Sequence, residues 1–108
     1  MAFCTVDDVR AIVDTDITDP EIVNLINRSD ARIALKINSG SASAALLADL
    51  SSTWTAWRCM LKDPEARSLG EYSENRSQAL KWLKGEIDDM IATANGGIAV
   101  VATRSELS

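Results

Sequence analysis

Residues 47 to 61 place Leu47, Leu50, Trp54, Trp57 and Leu61 at steps of three, four, three and four. That spacing returns an apolar side chain to one side of an α-helix at each turn. A strand cannot use it, because strand side chains alternate between faces. Two further seams repeat the pattern: Ile22, Leu25, Ile26, Ser29, Ile33 and Ile37, then Leu80, Leu83, Ile87, Met90, Ile91 and Ala94. In a chain of 108 residues, three such seams supply one core and no more. The expected fold is all-α, a small bundle of about four helices, one short and N-terminal and three longer. The helical domain is expected over residues 1–94, with an extended C-terminal tail at 95–108 that is flexible or ordered on assembly.

The boundaries follow from local chemistry. Thr5 can accept from first-turn amides, and Asp7 and Asp8 suit the positive end of a helix, so a short helix is expected from about Val6 to Val13. Thr18 and Glu21 have capping-box spacing, Pro20 fits a first turn and Ile17 can staple onto Ile22, which starts a helix that runs to about Ile37. Gly40 is the expected stop for it. The next helix spans about Ser43 to Lys62 and ends at Asp63-Pro64, because a residue before proline disfavours the α region. The last helix starts after Tyr72 with Ser73 as its N-cap. Trp82 falls beside the seam of that helix, and Gly85 within it suggests close packing on a neighbour.

Chemical motifs are sparse. The carboxylates of DTDITDPE, residues 14 to 21, fail a calcium-loop reading because Asp19 and Leu25 stand where Gly and Glu are required. Cys4 and Cys59 lack metal-ligand spacing and are read as reduced thiols, and the chain has no histidine, the commonest general base. The adjacent pairs Asp7-Asp8 and Asp88-Asp89 point different ways on a helix. No catalytic residue, metal ligand or cofactor is therefore assigned. Nothing reaches the length of a membrane span, and MAFCTVDDVR lacks the basic patch and apolar run of a signal peptide, so synthesis in the cytoplasm is expected. With a net charge of −5 and basic residues interleaved with acids, as in Arg28-Ser29-Asp30-Ala31-Arg32, tight DNA binding is not expected.

Three motifs in order carry a resemblance. Phe3-Cys4-Thr5-Val6-Asp7-Asp8-Val9, then Ile17-Thr18-Asp19-Pro20-Glu21-Ile22, then Gly70-Glu71-Tyr72-Ser73 resemble the head-tail connector (adaptor, or head-completion) proteins of tailed phages. The likeness covers about residues 3 to 93. It implies a non-enzymatic virion protein, made in the host cytoplasm, that forms a ring, commonly of twelve copies, beneath the portal. Such a ring extends the DNA channel, lets DNA pass without specific binding and docks a stopper or tail-completion protein. Partners would be other copies of the chain, the portal and that stopper. Tyr72, Trp82 and the tail residues Ile98, Val100 and Val101 are the candidate interface residues, since a rotational ring needs two different faces. Two rivals stand beside this: a small helical DNA-binding or regulatory module, reading bases through Asn24, Asn27, Arg28 and Arg32, and an enzyme or enzyme subunit.

Overall fold

The computed structural model describes residues 2–37, 43–68 and 76–95. The chain is all-α, with helices α1 (Val6–Arg10), α2 (Asp19–Lys36), α3 (Ala44–Lys62) and α4 (Arg76–Ala94). Two short strands, β1 (Val13–Asp14) and β2 (Arg67–Ser68), form an antiparallel ladder in which Val13 faces Ser68 and Asp14 faces Arg67. The pattern of apolar residues gave no sign of this ladder, since two residues per strand are too few to show a period. It also corrects the end of the first helix, which stops at Arg10 and leaves Val13 fully buried in β1.

α3 is the central element. It packs against both α2 and α4, while α2 and α4 make at most marginal contact with each other. Its N-terminus is closed by Ser43, whose hydroxyl accepts from the Leu46 amide at 3.1 Å. Flanked on two sides, α3 is buried well beyond its seam: Leu47, Leu50 and Trp54 are joined inside by Ser51, Thr55, Ala56, Cys59 and Met60. Leu61, the expected end of that seam, is instead 54% exposed. The apolar clusters divide along the bundle. One gathers Val9, Ile22, Ile26, Met60 and Leu83, the other Ile33, Leu50, Trp54 and Ile87, with half-buried Trp57 touching both.

Cap chemistry differs from expectation in one place. Thr5 forms a full capping box with Asp8, accepting from its amide at 3.2 Å while the Asp8 carboxylate accepts from the Thr5 amide at 3.0 Å. Thr18 takes the N-cap position of α2, but its side chain makes no cap hydrogen bond. Pro20 offers no amide to accept from, and Glu21 reaches away to Lys62 at 2.9 Å. The turn before α2 is held by Arg10 instead, whose guanidinium donates to the carbonyls of Thr15 at 3.1 Å and Ile17 at 2.9 Å and pairs with Asp19. α2 ends at Lys36, with extended Ile37 as C-cap. The stop at Gly40 and the start at Tyr72 and Ser73 lie outside the described residues.

A second junction closes α3. Asp63 is its C-cap, and the carboxylate accepts from the Thr15 hydroxyl at 2.6 Å and from the Glu65 and Asp16 amides at 3.0 and 3.3 Å. Across the same turn, Arg76 at the start of α4 donates to the carbonyl of Met60, one of the groups a helix end leaves unpaired, and to those of Asp63 and Pro64 just beyond it. The Thr15 hydroxyl, ahead of the Glu65 and Asp16 amides and nearby Arg76, holds the Asp63 carboxyl below the usual carboxylate range. A depressed folded pKa contributes stability above the unfolded value that is lost as pH falls through the folded one. Wild-type protein should therefore lose thermal stability as pH drops below about 4. Asp63→Asn should start lower at pH 7 and lose less over that window, read by melting curves.

Both cysteines are buried and unpaired with each other. Burial pushes the Cys59 thiol up to about 11 and raises that of Cys4 as well. Gly85 corrects another expectation. A Cβ built there meets nothing within 4 Å, so no neighbour needs its small size. Gly85→Ala should stabilise the fold by roughly 0.5–1 kcal/mol through backbone entropy alone, which urea denaturation would measure.

Candidate functional site

On α2, Arg28 and Arg32 stand one turn apart on the exposed side of the helix. Asp30 lies between them in sequence but not in space, because two residues on from Arg28 is the far side of the cylinder. There its carboxylate accepts from the Ser51 hydroxyl at 2.6 Å and from the Phe3 amide at 2.9 Å, and Cys4 Sγ lies 3.2 Å from the same hydroxyl. The acid that seemed to neutralise the stretch is used up inside, where it ties the N-terminal segment to α2 and α3. This corrects the interleaved reading of the basic residues.

Arg58 of α3 completes the cluster from across the groove. Its guanidinium lies 5.8 Å from the ring centroid of buried Trp54, within cation–π range. Its Nε is buried without a hydrogen-bond acceptor among the described residues. Burial lowers its pKa, and the charges of Arg32 and then Arg28 lower it further. Arginine stays protonated regardless, so three like charges line one groove, and the acid that also lines it, Glu21, is paired with Lys62 at 2.9 Å. Two adjoining cavities of about 350 and 300 Å³ run along this α2–α3 groove and share Arg28 and Arg58. Leu61 stands in the first and Leu35, 82% exposed, in the second. The groove is thus an anion-attracting strip with apolar ends.

Of the candidate interface residues, Trp82 is 41% exposed on α4. Tyr72, Ile98, Val100 and Val101 lie outside the described residues. Among the described residues, no His, Cys, Asp and Glu side chains converge to hold a metal, and no helix is long and apolar enough to cross a membrane. The carboxylates of DTDITDPE are divided between structural duties: Asp19 pairs with Arg10 and Glu21 with Lys62.

Of the arginine groove, Arg28 and Arg32 were expected at a surface only in the DNA-binding alternative, and Arg58 not at all. The groove's signal was present in the four-residue step from Arg28 to Arg32. Arg58 could not be added without knowing how α3 lies against α2. Compared with known proteins, the chain matches no family model, no curated protein and no solved structure.

The arrangement makes Asp30 the residue that separates inside from outside. Asp30→Ala would leave the buried Ser51 hydroxyl and the Phe3 amide without their acceptor. The expected loss is about 1–3 kcal/mol in denaturant unfolding, whereas Asp30→Asn, which keeps one acceptor oxygen, should lose less.

Proposed function

We propose that the chain is a structural subunit of the head-tail interface of a tailed phage, assembling into a ring beneath the portal and docking a stopper or tail-completion protein. Its work is to bind other proteins rather than to catalyse, and DNA passes its ring without specific recognition. One observation carries the reading best. Among the described residues, Leu35, Leu61 and Trp82 stand exposed beside well-buried apolar clusters, and large exposed apolar groups mark contact surfaces. These groups sit on different sides of α3, Leu35 and Leu61 along the α2 groove and Trp82 on α4. Two unlike faces are what a head-to-tail ring contact requires. The helix starts at Thr5 and at Asp19-Pro20 coincide with the first two motifs of the resemblance. The third, at Gly70 to Ser73, lies outside the described residues.

The arginine groove favours a second reading, a DNA-binding module, because Asn24, Asn27, Arg28 and Arg32 are all exposed on α2 and Arg58 adds to them. Against it stands the net charge of −5, which opposes approach to a polyanion.

Mass measurement in solution separates the two. The chain alone, with a phage portal ring, and with a short random duplex at moderate salt would be compared. Assembly on the portal and no duplex binding is the expected result. Duplex binding without portal assembly would replace the connector reading with the DNA-binding one.

A further inference from the structure

Acidic residues outnumber basic ones 16 to 11 in this chain, yet the three arginines of the groove have none beside them. Helical neighbours lie three and four positions away, and none of those positions around Arg28, Arg32 or Arg58 holds Asp or Glu. No ion pair reaches any of the three among the described residues. Glu21, the acid in the groove lining, is matched by Lys62 at 2.9 Å. That pair cancels at one end and leaves the three guanidinium charges uncompensated. Arg58 is held among them at a cost: it is half-buried, and its Nε has given up water without gaining an acceptor among the described residues.

We propose that the α2–α3 groove docks an acidic amphipathic helix of another protein, its carboxylates taken by Arg28, Arg32 and Arg58 and its apolar side chains by Leu35 and Leu61. The order of groups along the groove sets the pattern the partner must carry. α2 and α3 run antiparallel, as the contacts Glu21–Lys62 and Ser29–Thr55 require. Leu61 therefore shares a cavity with Leu25, the arginines follow, and Leu35 stands at the far end. From Leu25 to Leu35, α2 rises about 15 Å, and from Arg28 to Arg32 about 6 Å. The helix that fits has an apolar side chain at each end of roughly three turns and two carboxylates between them, all on one face. Carboxylates there would meet guanidinium groups in the bidentate geometry that arginine offers.

Other occupants meet obstacles in the same residues. An extended strand would bring unpaired backbone amides and carbonyls to two helices whose own backbone groups are already bonded, whereas a helix satisfies its own. Nucleic acid offers phosphates but no aliphatic groups for Leu35 and Leu61, and no exposed aromatic lines the cavities for bases to stack on. A second copy of this chain fits no better. Asp19, Glu21 and Asp88 are held in ion pairs, Asp8 and Asp30 in hydrogen bonds, and Asp89 is engaged within its own chain. Among the described residues each helix then retains at most one uncommitted carboxylate, and the groove asks for two. A helix laid into a groove of another protein is the recognition mode that remains. The proposal rests on the reading of this chain as a protein-binding subunit and gives one of its docking faces a partner chemistry.

A synthetic helical peptide tests it. The probe carries two leucines with two glutamates between them, at helical steps of three, four and three, and is titrated by fluorescence anisotropy at low salt. Wild type should bind it, and more weakly as salt screens the charges. Glutamine for both glutamates, alanine for both leucines, or the same residues split between opposite faces should each weaken binding at least roughly tenfold. Arg28→Glu/Arg32→Glu should lose the glutamate peptide and gain a version with lysine in place of glutamate, and that gain also shows that the variant is folded. No binding by wild type at millimolar peptide, equal binding of the split-face peptide, or loss without gain in the variant would each overturn the proposal. So would duplex DNA binding that the Arg28→Glu/Arg32→Glu change abolishes. The connector reading is judged separately by assembly on a phage portal ring. Portal assembly by wild type that survives the charge reversal leaves that reading standing even where peptide binding has failed.

Discussion

The Asp30 carboxylate is the hinge of the molecule's inside and outside. By accepting from Phe3 and Ser51, it closes the N-terminal segment over the junction of α2 and α3. By facing inward, it leaves Arg28 and Arg32 outside without an acid between them. One side chain thus sets both the closure of the core and the sign of the surface. Asp63 plays the corresponding part at the other end, where the segment after β1, α3 and α4 are fastened around one carboxylate and the guanidinium of Arg76. Between the two aspartates, much of the packing depends on α3, the helix with neighbours on both flanks.

That central position explains an odd feature of α3. The run Ser51 to Thr55 is wholly buried although four of its five residues carry hydroxyls. Small hydroxyl residues let α2 approach closely, and their polar groups find partners there: Thr55 donates to Ser29 at 3.0 Å and Ser51 to Asp30 at 2.6 Å. Each bond spares a buried polar group the cost of being left unpaired. The apolar clusters to either side supply most of the driving force, and the hydroxyls supply specificity of fit.

The helices were legible in the sequence because their apolar periods are long and regular. The α2 seam from Ile22 to Ile33 is buried residue for residue, Ser29 included. Ends were legible where one residue decides them, as at Thr5, Ser43 and Asp63. They were missed where tertiary contacts decide. Val13 leaves the helix for a ladder with a segment more than fifty residues away in the chain, and Leu61 falls outside because neighbouring elements cover Cys59 and Met60 instead. The groove was half legible: a helical projection of α2 pairs Arg28 with Arg32, whereas Arg58 joins them only through the way two helices meet. Trp82 was placed at the edge of a seam, and 41% exposure agrees with that position. What it touches in an assembly is not written in a periodicity.

The buried hydroxyl pair Ser29–Thr55 has a consequence for the surface. Two smooth apolar helices could slide past one another by a turn, about 5.4 Å, at modest cost. Here such a slip would unpair both hydroxyls and pull Ser51 from Asp30. It would also carry Arg58 out of line with Arg28 and Arg32. The register of the interior is therefore the ruler for the exterior: the distances among the three guanidinium groups are fixed by contacts that no partner ever sees.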